Sequence, residues 1–266
     1  ISQNKPYLLS SKYLPNFTAG LTFFIAVAAT NLFHQGNWQR VYAAKNNDVL
    51  KKSLIFSFII IIPIVFLMGF SGLIAVSQNE AVTPDLAFFS LILKENGVQL
   101  SIIIVILAIS LTVSSIDTLI NAVASLIIVD GNKIFKGKKD YFKFSKQIII
   151  ILSIIAFLVA SKGLSILYLF LLADLLCCAA VMSVFYGFYN KKFSEKKAYV
   201  SILFGLMMGI LLFPSIDFSK SILAGIILPT NMFPDFISQS LLFSSFIIAT
   251  FAPLVVWKIK DYGIRK

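Results

Sequence analysis

The sequence predicts an all-α protein, a polytopic transmembrane helical bundle, and three observations carry that reading. Of 266 residues, 58% are hydrophobic and only 13% charged, with a mean hydropathy of +0.90; no water-soluble domain of this size stays dispersed with that balance. Apolar runs recur at lengths that cover the roughly 30 Å hydrocarbon layer of a bilayer. The charges collect in short blocks between those runs, so the formal net charge of +11 is a topology signal and not a nucleic-acid footprint.

Taken in order, seven spanning helices are expected: Phe17 to Gln35, Leu50 to Val76, Val98 to Val129, Phe144 to Ser161, Leu164 to Tyr189, Ala198 to Phe213 and Phe236 to Trp257. Pro84 to Asn96 is apolar through Leu86, Phe88, Phe89, Leu91, Ile92 and Leu93 but too short to cross, which fits a short helix or lid on the outer surface. Ser219 to Leu228, before Pro229, is a second candidate surface piece. The first fifteen residues hold Lys5, Pro6, Lys12 and Pro15 without an apolar core, so no signal peptide is visible. A start at Ile1 in place of Met suggests a piece of something longer.

The loops alternate in charge. Arg40, Lys45, Lys51 and Lys52 fill the first; Lys133, Lys136, Lys138, Lys139, Lys143 and Lys146 the third; Lys191, Lys192, Lys196 and Lys197 the fifth; Lys258, Lys260, Arg265 and Lys266 follow the last helix. Only Lys5, Lys12, Lys94, Lys162 and Lys220 are left for the other side. The positive-inside rule then sets the first residues outside and Lys266 in the cytoplasm of a plasma (inner) membrane protein, a parity that seven crossings satisfy.

The third helix is the most informative. Between Ile102 and Asp130 it carries Ser110, Thr112, Ser114, Ser115, Asp117, Thr118, Asn121 and Ser125. At about 100° per residue, Ser110, Ser114, Asp117, Thr118, Asn121 and Ser125 share an arc of about 100°, with Leu111 and Ser115 at its edge. One flank is dry and the other suits a cation or water. A carboxylate at the bilayer centre costs roughly 2.5 to 3.5 kcal/mol on insertion scales, so Asp117 is expected to point inward. Serines of membrane helices also serve as plain packing residues that bond back to the preceding turn, and that reading competes for Ser114 and Ser115.

Asp174, isolated within Leu171-Leu172-Ala173-Asp174-Leu175-Leu176, is a functional candidate by its location, or else a hydrogen bond pinning two helices. Thr30, Asn31 and Asp174 are candidates for lining a solute cavity or gate. His34, the single histidine, sits beside Gln35 and Asn37 where gating or capping suits it better than metal binding, for which no further ligands are present. Cys177 and Cys178 are adjacent, a geometry that strains a disulfide, and read as packing residues.

The exit of the first helix holds Trp38-Gln39-Arg40 followed by Ala43-Ala44-Lys45. This segment resembles the sodium:solute symporter family, and Trp38-Gln39-Arg40 resembles its urea-transporter branch. Ser114-Ser115 ahead of Asp130 is similar to the helix that supplies half of a sodium site in those symporters. The resemblance implies the second half of a five-plus-five inverted-repeat, leucine-transporter-like fold plus extra C-terminal helices. Residues 1–266 would then be a single transmembrane transporter domain whose partner is the missing N-terminal helices of the same polypeptide. It implies sodium as the coupling ion, bound by the Ser114 and Ser115 hydroxyls and the Leu111 backbone carbonyl. Asp117 and Thr118 match positions where some members place two hydroxyls of a second sodium site; the carboxylate departs from that pattern and points to a stronger cation site, a proton-linked one, or a salt bridge to a helix outside this chain. The function implied is sodium-coupled import of a small polar organic solute across the lipid bilayer.

No phosphate-cradling glycine loop, nucleophile-base-acid set, or cysteine and histidine cluster is present, so catalysis is not expected. Two rival readings stay open: a proton-coupled carrier or channel using Asp117 and Asp174, and a membrane sensor domain built on a symporter-like architecture.

Overall fold

The computed structural model describes residues 5–258 apart from 11, 79–85, 94–96, 135–140, 192, 219, 222, 224–236 and 238–239. Helix is the regular structure of the described residues, apart from an isolated antiparallel bridge between Pro214 and Ser221. After a 3-10 turn at Pro6–Leu9 come α1 (Leu14–Phe33), α2 (Gln35–Tyr42), α3 (Asn47–Gln78), α4 (Ala87–Leu93), α5 (Val98–Ile134), α6 (Tyr141–Ala160), α7 (Ile166–Tyr189), α8 (Glu195–Leu212), α9 (Leu241–Phe251) and α10 (Pro253–Lys258). The all-helical, multi-pass bundle read from the sequence is what the chain forms.

Among the described residues, six helical segments are long and apolar enough to span: α1, α3, α5 over Val98–Gly131, α6, α7, and α9 with α10 as Leu241–Lys258. The seventh expected span is helical but differs. α8 has 18 residues, begins with Glu195, Lys196 and Lys197, and keeps an apolar run only from Ala198 to Leu212, about 22 Å at 1.5 Å per residue. Its charged turn is built as a helix start, with the Ser194 hydroxyl accepting from the Lys197 backbone N–H at 3.3 Å and Glu195 beside the positive end of the helix dipole. The outer-surface segment expected at Pro84 to Asn96 contains α4; Pro84 and residues 94–96 lie outside the described residues, as do most of Ser219 to Leu228, the helix start expected at Phe236, and the terminal Ile1 and Lys266.

The helices divide into two units. The first covers residues 34–164. There α3 packs on α4, α5 on α6, and α2 on α5. Phe56, Phe66, Ile103 and Leu111 expose more than 60% of their surface. Apolar flanks of that extent demand lipid or protein around them, and Pro63 inside α3 is tolerated in that setting. At the end of α6 the turn closes on Gly163, whose φ of +64° suits glycine.

The second unit holds Pro6–Phe33 and the chain from Ser165 onward, and it has the better-packed interior. Ala26 and Ala29 of α1, Leu171, Leu175, Cys178 and Ala179 of α7, and Phe246 and Ala249 of α9 form its core. Small residues let α8 and α9 approach closely. A Cβ on Gly209 would lie 2.7 Å from the Ala249 Cβ, and one on Gly205 would lie 2.8 Å from both the Ala249 carbonyl oxygen and the Pro253 ring. The Ser245 hydroxyl donates to the Gly209 carbonyl at 2.7 Å across that contact. Small-xxx-small spacing with a polar crosslink is how membrane helices associate where no hydrophobic drive exists between them. At one end of the unit, Trp257 stacks on Tyr186 at 4.3 Å with Phe193 edge-on at 5.6 Å from the indole, an aromatic group of the kind that sits at membrane interfaces.

Candidate functional site

Two polar features stand inside apolar helices, one in each unit. The first is the row on α5. Leu111, Ser114, Ser115 and Asp117 are exposed within this chain and Thr118 is half-buried. All five predicted residues thus lie on one helix, and among the described residues their side chains stay exposed except at Thr118.

Local chemistry on that row is specific. The hydroxyls of Ser110, Thr112, Ser115 and Thr118 donate to the carbonyls of Ile106, Ala108, Leu111 and Ser114, at 2.8, 2.8, 2.9 and 3.0 Å. Each is the four-residue back-bond available to Ser and Thr in a helix. A hydroxyl whose proton is committed this way keeps its lone pairs facing outward, which is the state a cation ligand needs. Ser115 and Leu111 are thereby held together, since the hydroxyl expected to bind an ion touches the carbonyl expected to join it. Asp117 accepts from the Asn121 amide at 3.3 Å, so the acidic group leans along its own helix.

Thr118 marks where α2 meets α5. A Cβ on buried Gly36 would stand 3.3 Å from the Thr118 methyl and 3.0 Å from the His34 ring. A side chain at position 36 would make the His34 ring and the Thr118 methyl give way by a few tenths of an ångström, so glycine suits the approach of the Trp38-Gln39-Arg40 helix to the polar row. His34 occupies the N-cap position of α2 with φ −73° and ψ 102°, yet its side chain makes no capping bond, and its buried Nδ1 has no hydrogen-bond partner.

The second feature joins two residues 144 positions apart. The Thr30 hydroxyl on α1 donates to the Asp174 carboxylate on α7 at 2.5 Å. Asp174 is only 7% exposed. Cys177, half-buried, lies one turn further along α7, and buried Cys178 donates to the Ile25 carbonyl at 3.8 Å. Asn31 is exposed, and its amide donates to the Val27 carbonyl at 2.8 Å. Thr30 and Asp174 are thus brought together and Asn31 is not. Among the described residues no group of three or more metal-ligating side chains occurs.

Sequence reading missed the Gly205, Gly209 and Ser245 contact, although the Gly-x-x-x-Gly spacing within an apolar helix was its signal.

A chain whose described residues are helical, with six helices long and apolar enough to cross a bilayer, has the makeup of a multi-pass membrane protein. Comparison with known proteins points to a membrane transporter: over 204 residues the chain is 26% identical to the protein described as Spermidine transporter DUR31 of Candida albicans (strain SC5314 / ATCC MYA-2876), covering 74% of this chain and 38% of that protein. The chain therefore spans well under half the length of this relative. No protein-family model matches the chain, so the resemblance to the sodium:solute symporter family rests on the residues themselves. No solved structure matches it either.

Proposed function

We propose that this chain is part of a sodium-coupled secondary transporter that imports a small polar organic solute, with spermidine, named for the relative, as the first solute to test. The observation that carries the proposal is the polar row of α5. There the Ser115 hydroxyl donates to the Leu111 carbonyl at 2.9 Å, and Leu111, Ser114 and Ser115 are all exposed within this chain. Neutral hydroxyl and carbonyl oxygens replace the hydration shell of an alkali ion. In this reading Leu111, Ser114 and Ser115 supply half of the sodium site, and helices of the same polypeptide outside this chain supply the rest. Asp117 and Thr118 form a second cation or proton site one turn further along. The basic loops then face the cytoplasm, with α8 crossing and the first residues outside.

The energetics of such coupling suffice. One charge falling through about 100 mV yields about 2.3 kcal/mol, and a tenfold sodium gradient adds about 1.4 kcal/mol. Together they sustain a solute gradient of several hundredfold. Sodium binding ties α5 to its partner helices and favours the outward-open state; solute binds near the midplane, and rocking of the bundle releases both inside. In the full-length protein, Ser114→Ala combined with Ser115→Ala is expected to abolish sodium-stimulated uptake of spermidine or urea without preventing membrane insertion. Unchanged sodium dependence removes these residues from the site, and uptake that follows pH and ignores sodium makes the protein a proton-driven carrier.

A further inference from the structure

The buried carboxylate of α7 is not explained by the sodium row. Asp174 sits in the interior of its unit at 7% exposure, and no Lys, Arg or His among the described residues forms an ion pair with it. Its bonded neighbour is the Thr30 hydroxyl at 2.5 Å, and the half-buried Cys177 lies one turn further along α7. A carboxylate so placed is costly unless a positive group joins it. A positive group beside the Asp174 carboxylate is what such a burial calls for.

We propose that Asp174, with Thr30 and Cys177 beside it, is the subsite that receives a primary ammonium group of the transported solute. This rests on the transporter reading above and names the class of solute. Three features select an ammonium over an alkali ion. A sodium ion is hard and calls for several oxygen ligands, whereas this cluster offers one carboxylate, one hydroxyl and a soft thiol. An alkylammonium brings three N–H donors. The carboxylate oxygens and the lone pairs of the Thr30 hydroxyl, whose own proton is committed to Asp174, match those donors. The carbon chain of an amine also suits an interior as apolar as the one holding Leu171 and Leu175, both nearly inaccessible on the same helix, which a hydrated metal ion does not.

Cys177 is half-buried next to this carboxylate and reports on occupancy without requiring transport. In the full-length protein in membranes, the rate of maleimide labelling at Cys177 is followed by peptide mass spectrometry with added spermidine, with urea, with sodium, and with choline as the reference. Spermidine is expected to slow labelling about tenfold in the wild type, and Asp174→Asn is expected to abolish that protection, as loss of a charged hydrogen-bond partner does. Thr30→Val is expected to weaken the protection and Thr30→Ser to retain it, so the inference remains testable if the Asp174 variant fails to insert. Protection by sodium alone assigns the carboxylate to the coupling ion and overturns the inference; so does an equal rate with and without spermidine, or protection that survives Asp174→Asn. Protection that depends on Asp174 while uptake is independent of sodium leaves the ammonium subsite standing and refutes the coupling reading instead.

Discussion

Replacing Gly209 by Ala tests the packing of the second unit at its closest approach. The added methyl carbon stands 2.7 Å from the Ala249 Cβ and 3.1 Å from a Leu175 methyl, against about 3.5 to 4.0 Å for a carbon pair at rest. Ala249 has no side-chain torsion with which to yield, so α8 and α9 must separate by the better part of an ångström. Overpacking of this kind costs about 1 to 3 kcal/mol. The gain in helix propensity from Gly to Ala returns about 0.8 to 1.0 kcal/mol. A net destabilisation of up to about 2 kcal/mol follows, read as a lower thermal midpoint of the detergent-solubilised protein by size-exclusion recovery. Gly20→Ala on α1, where nothing lies within 4 Å, is expected to leave that midpoint unchanged or raise it. Adding Ala249→Gly to Gly209→Ala reopens the space and is expected to recover most of the loss, as contacting residues do in a double-mutant cycle. A Gly209→Ala protein as stable as the wild type, or a second substitution that recovers nothing, would refute this account of the α8–α9 contact.

Other expectations use the same assay. Ser245→Ala removes a buried hydroxyl bonded at 2.7 Å to the Gly209 carbonyl and should cost about 0.5 to 1 kcal/mol, below the Gly209→Ala effect; a larger loss means the hydroxyl carries more than that bond. Gly163→Ala forces a Cβ onto a residue at φ +64° and should lower stability by about 1 kcal/mol. Gly36→Val drives a branched side chain against His34 and Thr118, at 3.0 and 3.3 Å from its Cβ alone. It should displace α2 from α5 and, in full-length protein, reduce uptake while leaving insertion intact; normal uptake would separate the Trp38-Gln39-Arg40 helix from the working site.

Periodicity and length made the helices legible, because a bilayer imposes one length scale on every crossing. The polar row of α5 was legible for the same reason, since a 3.6-residue repeat assigns each oxygen a direction. Helix ends were less so. Gln35 belongs to α2 and not α1 because the backbone leaves the helical region at His34, a change that no apolar run records. Ala198 to Phe213 met the hydropathy criterion, while the helix extends upstream into Glu195, Lys196 and Lys197 because Ser194 caps it there. Asp174 was marked by its isolation among leucines, but its pairing with Thr30 lies 144 residues away, where a single sequence offers no signal. The commitment of hydroxyl protons to carbonyls four residues back is a rotamer choice and equally invisible to spacing.

Sodium coupling through α5 is the central claim, and uptake into cells or vesicles carrying the full-length protein measures it most directly. Spermidine accumulation is compared with external sodium and with choline in its place, under a fixed membrane potential and pH. Accumulation that rises severalfold with sodium and loses that response in the Ser114→Ala, Ser115→Ala protein is the predicted result. Equal accumulation in the two media contradicts the claim.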